Sequence, residues 1–103
     1  MKDKQGNTWE FDVIAKAGKL AIIVDVESSY NRMSYIEHFT QVVLPRVPQI
    51  LSDLLGYKIV GCIASFSLED TIVQKASELG VLAISIGGNN LELCNQELVG
   101  KII

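Results

Sequence analysis

At 103 residues the chain is long enough for one domain that buries roughly two thirds of its unfolded surface, so residues 1–103 are expected to form a single unit. Hydrophobic residues at 49%, charged residues at 20% and no Gly-, Ser- or Pro-rich tract exclude a disordered chain. The net charge of -3, with nine scattered Lys and Arg, gives no support to non-specific nucleic-acid binding. An enzyme that grips phosphate through bound metal ions stays compatible with it.

The N-terminus, Met1-Lys2-Asp3-Lys4, lacks the apolar stretch of a signal peptide, and the longest apolar run, Leu20 to Val24, is far below the ~18 to 20 residues of a membrane span. A cytoplasmic protein without a membrane segment is expected. Two cysteines, Cys62 in an apolar run and Cys94 near the end, are too few and too far apart for a disulfide framework or a zinc site, and Cys62 reads as core.

In chain order, Thr8 to Ala15 alternates like a strand and Leu20 to Ser28 is a β-rich run, joined through Lys16-Ala17-Gly18-Lys19 as a hairpin. Ser34-x-x-Glu37 has the form of a capping box ahead of Ile36, Phe39, Val43 and Leu44 at helical spacing, until Pro45 interrupts. Pro48 opens a second stretch with Val47, Ile50, Leu51, Leu54 and Leu55 on one face, closed by Gly56. Two helices or one kinked helix satisfy this pattern. Lys58 to Phe66 reads as a buried strand, Ser67 to Leu79 as a helix stopped at Gly80, and Val81 to Ile86 as another buried strand. Gly87-Gly88-Asn89-Asn90 is a turn, Leu91 to Leu93 a short edge strand, and the last eight residues carry no decisive signal. The expected fold is α/β, with a mixed β-sheet in ββαβαβ order flanked by helices.

A turn centred on Ala17 and Gly18 puts Trp9, Phe11 and Val13 on the same face as Leu20, Ile22, Val24 and Val26. The opposite face then carries Ile14, Ala21 and Ile23 near the turn and Glu10, Asp12, Asp25 and Glu27 at the far end. In that register Asp12 lies opposite Ile23 and diagonal to Asp25, roughly 5.5 to 8 Å away, a spacing that one divalent cation bridges. A three-residue loop would scatter both patterns. Converging carboxylates repel, so the cluster reads either as wet strand ends or as a site for Mg²⁺ or Mn²⁺.

Glu10-Phe11-Asp12-Val13, the hairpin, Asp25-Val26-Glu27-Ser28 and the passage Ala76-Ser77-Glu78-Leu79-Gly80-Val81 together resemble the PD-(D/E)XK nuclease-like superfamily, specifically its uncharacterised archaeal and cyanobacterial members. The resemblance covers residues 8–86. It implies a restriction-endonuclease-like core, with Asp12 and Asp25 as metal ligands, the Val26 carbonyl as a third oxygen, and Mg²⁺ or Mn²⁺ activating water against a phosphodiester. Glu27 stands where that family has its lysine, and eleven residues before Asp12 leave no room for the family's first helix. If the site is active, Asp12, Asp25 and Glu27 are its catalytic residues.

Lys16 and Lys19 belong to the other end of the hairpin, and Arg32 is the remaining candidate for a displaced cation. His38 and Gln41, one turn apart, read as helix surface; Tyr30 and Tyr35 as packing residues; Gly87-Gly88 as a turn. Two functional classes follow: a degenerate nuclease-like domain serving as a binding or oligomerisation module, or a divalent-metal-dependent phosphodiesterase or nuclease subunit. The apolar face with Trp9, Phe11, Val13, Ile22 and Val24 needs a cover, which predicts a homodimer.

Overall fold

A computed structural model describes residues 13–27, 33–87 and 89–102. Strand β1 (Val13–Ala17) turns through Gly18-Lys19 into β2 (Leu20–Glu27), with Gly18 at φ 59°. Glycine at the first central position of a two-residue hairpin loop is the arrangement that a type II′ turn favours, because positive φ carries no Cβ penalty there. The turn therefore sits one residue later than the sequence suggests, and Lys16 and Ala17 become strand. Ile23 consequently pairs with Ile14, not with Asp12. The assignment of side chains to faces survives, because the register differs by an even number of residues.

Helix α1 (Met33–His38), a wide π-type segment (Phe39–Val43) and α2 (Leu44–Ile50) form one distorted helical run. Ser34 lies inside α1 and so does not cap it; Glu37 instead reaches Lys75 at 3.5 Å. The wide segment lies immediately before Pro45. Pro45 has no N–H to continue the ladder and its ring crowds the turn before it, and the backbone widens so that the Leu44 N–H donates to the Phe39 carbonyl, five residues back. A 3₁₀ turn (Ser52–Leu54) follows, and Gly56, at φ 87°, ends that turn and not the helix. Of the expected apolar face, Val47 and Leu54 are buried while Leu55 is 66% exposed.

Strand β3 (Lys58–Ser65), helix α3 (Asp70–Glu78), β4 (Leu82–Gly87) and β5 (Asn90–Leu93) complete the sheet. Glu69, not Ser67, is the N-cap of α3, and Gly80 at φ 75° turns the chain out of it. A 3₁₀ turn (Gln96–Leu98) and α4 (Val99–Ile102) occupy the C-terminal stretch that carries no decisive sequence signal. The five strands lie in the order β1-β2-β3-β4-β5. β2, β3 and β4 are parallel, with an antiparallel hairpin at each edge. The architecture is α/β, a mixed sheet flanked by helices, with β5 at one edge.

The two faces of the sheet have different covers. Ala21, Ile23, Ile63 and Ala83 pack under the helices against Ile36, Phe39, Val47, Leu54, Ile72 and Ala76, forming the main core. Gly61 belongs to this face, and a Cβ there would stand 2.6 Å from Leu44 Cδ1, so glycine is what lets the helical run lie so close to β3. On the reverse face Val60, Cys62 and Leu82 are buried beneath Leu98, with Leu20, Ile22, Val24, Ile84 and Leu93 only partly buried around them. Among the described residues no helix is long and apolar enough to cross a membrane.

Candidate functional site

Side chains alternate along β2, so Asp25 and Glu27 share the helix-covered face with Ala21 and Ile23 but lie beyond the apolar part of the strand. Asp25 is level with Ile63, and Glu27 with Ser65. Ser65 is in turn level with Ser85, which stands opposite Glu92 of β5. One row, Glu27, Ser65, Ser85 and Glu92, thus crosses four strands at the carboxyl ends of the parallel set. Asp25 and Val26 are half-buried and Glu27 is exposed. All three already interact with neighbouring groups.

Ser65 is fully buried. Its Oγ donates to the Ser67 carbonyl at 2.9 Å and accepts from the Ser67 N–H at 3.1 Å, so it holds the chain as it leaves β3. Oxygen ligands suited to Mg²⁺ or Mn²⁺ are present in the Asp25 and Glu27 carboxylates and the Val26 carbonyl. Asp12, the other expected ligand, lies outside the described residues, as do Glu10, Trp9, Phe11, Tyr30 and Arg32. Among the described residues no three His, Cys, Asp or Glu side chains are grouped to hold a metal ion.

The basic residues of the hairpin are at its other end. Lys16 Nζ donates to Asp53 Oδ2 at 2.9 Å, and Lys16 and Lys19 each place an ammonium 5.8 Å from the Tyr57 ring centre. The hydrogen bond, followed by the attraction of the two charges, raises the Lys16 pKa and lowers that of Asp53. Neither lysine is placed to serve the Asp25 and Glu27 end of β2.

His38 and Gln41 are both exposed, as surface residues should be, and Tyr35 is exposed rather than packed. Burial pushes the Cys62 thiol up to about 11, which makes it an inert core group, while Cys94 is exposed.

One important residue was invisible to sequence reasoning. Asn95 is fully buried between β4 and the C-terminal turn. Its Oδ1 accepts from the Ala83 N–H at 2.9 Å, and its Nδ2 donates to the Val81 carbonyl at 2.9 Å and to Ser77 Oγ at 3.1 Å. The side-chain amide stands in for the next strand residue at the start of β4. A single Asn among exposed polar neighbours gives no pattern that would have revealed it. Compared with known proteins, the chain matches no family model, no curated protein and no solved structure.

Proposed function

We propose that this chain is a nuclease-like domain without turnover that serves as an oligomerisation module, forming a homodimer through the face of its sheet opposite the helices. The observation that carries this reading is the incomplete cover of that face. Leu20, Ile22, Val24, Ile84 and Leu93 remain only partly buried, and Leu91 at its edge is 72% exposed. The C-terminal turn supplies part of the cover that the sequence alone left to a partner, since Leu98 is buried there. Partly exposed apolar side chains on a sheet face are what symmetric subunits bury against each other. Loss of turnover is supported by Glu27 at the lysine position and by the commitment of Lys16 to Asp53 at the far end of the hairpin. Sedimentation equilibrium at tens of micromolar should give a dimer, and Leu91→Lys, which alters an exposed position, should shift it toward monomer. A native protein that sediments as a monomer would refute the reading.

A second reading rests on the carboxylates of Asp25 and Glu27, which share one face of β2; Asp12 lies outside the described residues. In that reading Asp12, Asp25, Glu27 and the Val26 carbonyl hold Mg²⁺ or Mn²⁺ for phosphodiester hydrolysis. Binding to the native state alone stabilises by RT ln(1 + [L]/Kd), so Mn²⁺ at about 100 times its Kd should add roughly 2.7 kcal/mol. Asp25→Asn should abolish that shift. An unchanged melting temperature in millimolar Mn²⁺ and Mg²⁺ would remove the metal site and leave the oligomerisation module standing.

A further inference from the structure

The sheet ends in β1 on one side and in β5 on the other. In an edge strand every second residue turns its N–H and C=O away from the sheet, and the hydrogen bonds fix which residues those are. The Cys94 N–H donates to the Ala83 carbonyl at 2.8 Å and the Ala83 N–H donates to Asn95 Oδ1, so Ala83 directs its main chain toward the β5 side. By alternation Ser85 and Gly87 do the same, and their partners Glu92 and Asn90 bond back to β4. Leu91 and Leu93 are left with their main-chain groups directed outward.

The other edge is guarded. The Lys58 N–H donates to the Lys19 carbonyl at 2.7 Å, which turns Lys19 toward β3 and Leu20, Ile22 and Val24 toward β1. Their partners are Ala17, Ala15 and Val13, so the outward residues of β1 are Ile14 and Lys16. Lys16 puts a charge on that edge, held to Asp53 at 2.9 Å, and an edge lysine is a common barrier to pairing with another strand. β5, Asn90-Leu91-Glu92-Leu93, has neither lysine nor proline. Its outward residues are both leucines, and Leu91, at 72%, is the most exposed large hydrophobic residue among the described residues.

We propose that β5 pairs edge to edge with β5 of a second copy, antiparallel about a two-fold axis at Leu91, joining the two sheets into one. A two-fold axis perpendicular to the sheet keeps each face continuous, so residues of one face, and outward groups, meet their own kind across it. With Leu91 on the axis, its N–H and C=O bond to those of Leu91 in the second copy, and Asn90 stands opposite Glu92 on both sides. With Glu92 on the axis, two like charges would be directly opposite each other, which is destabilising. Leu91 and Leu93, opposite Ile86 and Ile84, belong to the reverse face, whereas Asn90 and Glu92 belong to the helix-covered one. The contact goes beyond the homodimer proposed above, which uses the reverse face and leaves the edges free.

Position 90 separates the two contacts, because a charge there meets Glu92 of the second copy and lies on the face away from the reverse-face dimer. Amide exchange and sedimentation of the full chain, from tens of micromolar to about 1 mM, read both. The Leu91 amide should exchange freely when dilute and slow about tenfold once about nine tenths of the chains are paired. Asn90→Lys should bring that slowing to an at least about twofold lower concentration, through an opposite charge on each side of the axis. Asn90→Glu should remove the slowing, and combining it with Glu92→Lys should restore it. A sedimenting dimer whose Leu91 amide exchanges at one rate over the whole range overturns the edge contact and leaves the reverse-face dimer standing. A dilute monomer whose Leu91 amide slows at about 1 mM supports the edge contact and refutes the reverse-face dimer. Equal slowing in Asn90→Lys and Asn90→Glu overturns the pairing about Leu91.

Discussion

Replacing Asn95 by alanine should be one of the most damaging single changes in the protein. The side chain is fully buried and supplies partners to two main-chain groups, the Ala83 N–H and the Val81 carbonyl, each at 2.9 Å. Truncation leaves both without that partner where the amide had excluded water, at about 1–3 kcal/mol each. Ser77 loses less, because its hydroxyl keeps its bond to the Val73 carbonyl at 2.9 Å. The expected loss is about 2–5 kcal/mol, a large part of the ~5–15 kcal/mol that holds a domain together. At about 4–8 °C per kcal/mol for a domain near this size, melting should fall by at least ~8 °C, measurable by circular dichroism. Asn95→Asp sharpens the test. The carboxylate still accepts from Ala83 but faces the Val81 carbonyl, so its folded pKa should rise above the ordinary ~3.9. For a group raised in the folded state, the favourable contribution is fully present below the unfolded pKa and is lost as pH rises through the folded one. Asn95→Asp should therefore lose stability relative to the native protein between about pH 4 and neutrality. An alanine variant within ~1 kcal/mol of the native protein, or an aspartate variant with no such pH dependence, would refute the role assigned to Asn95.

Gly61→Ala places a Cβ 2.6 Å from Leu44 Cδ1 and 3.0 Å from Phe39 Cε2, and should cost about 1–3 kcal/mol in chemical denaturation by forcing the helical run away from β3. A thiol reagent at neutral pH should label Cys94 rapidly and Cys62 only after unfolding, because Cys62 is buried with its thiol pushed up to about 11; rapid labelling of both in the native state would contradict the core assignment. Because its hydrogen bond to Lys16 is what chiefly lowers the Asp53 pKa, Lys16→Met should move that carboxyl back toward its ordinary value in an NMR titration. Whatever the pair contributes to stability is present above the unfolded pKa of Asp53 and is lost as pH falls through the folded one, and exposure of both partners keeps the effect small.

The central strands were legible because their signals were strong and redundant. Leu20 to Glu27, Lys58 to Ser65 and Leu82 to Gly87 are β-rich runs between turn residues, and parallel strands buried on both faces need such runs. The helical run was legible in position but not in kind. Pro45 and Pro48 marked a disturbance, yet whether a proline breaks a helix, kinks it or is absorbed by a wider turn depends on what the neighbouring residues pack against. Here Phe39 and Val47 are both buried against the sheet, on either side of Pro45, and that packing keeps the run continuous. The C-terminal residues were unreadable for a related reason. Gln96 to Ile102 is too short to form a helix on its own propensity, and it is held by Leu98 in the reverse core and by the hydrogen bonds of Asn95 to residues far away in sequence.

The hairpin shows that a shift in register can change partners without changing faces. Moving the turn from Ala17-Gly18 to Gly18-Lys19 changes every cross-strand partner while leaving Ile14, Ala21, Ile23 and Asp25 on one face. Core prediction survives this shift because burial depends on the face. A metal site does not have that tolerance, because cation binding depends on which carboxylates are directly opposite one another and therefore on a register fixed by the glycine's left-handed conformation at the turn. Gly18 thus sets which β1 residue stands opposite each residue of β2. Shifting the turn by one residue would leave the main core facing the helices and would still replace every cross-strand neighbour that β1 gives to β2.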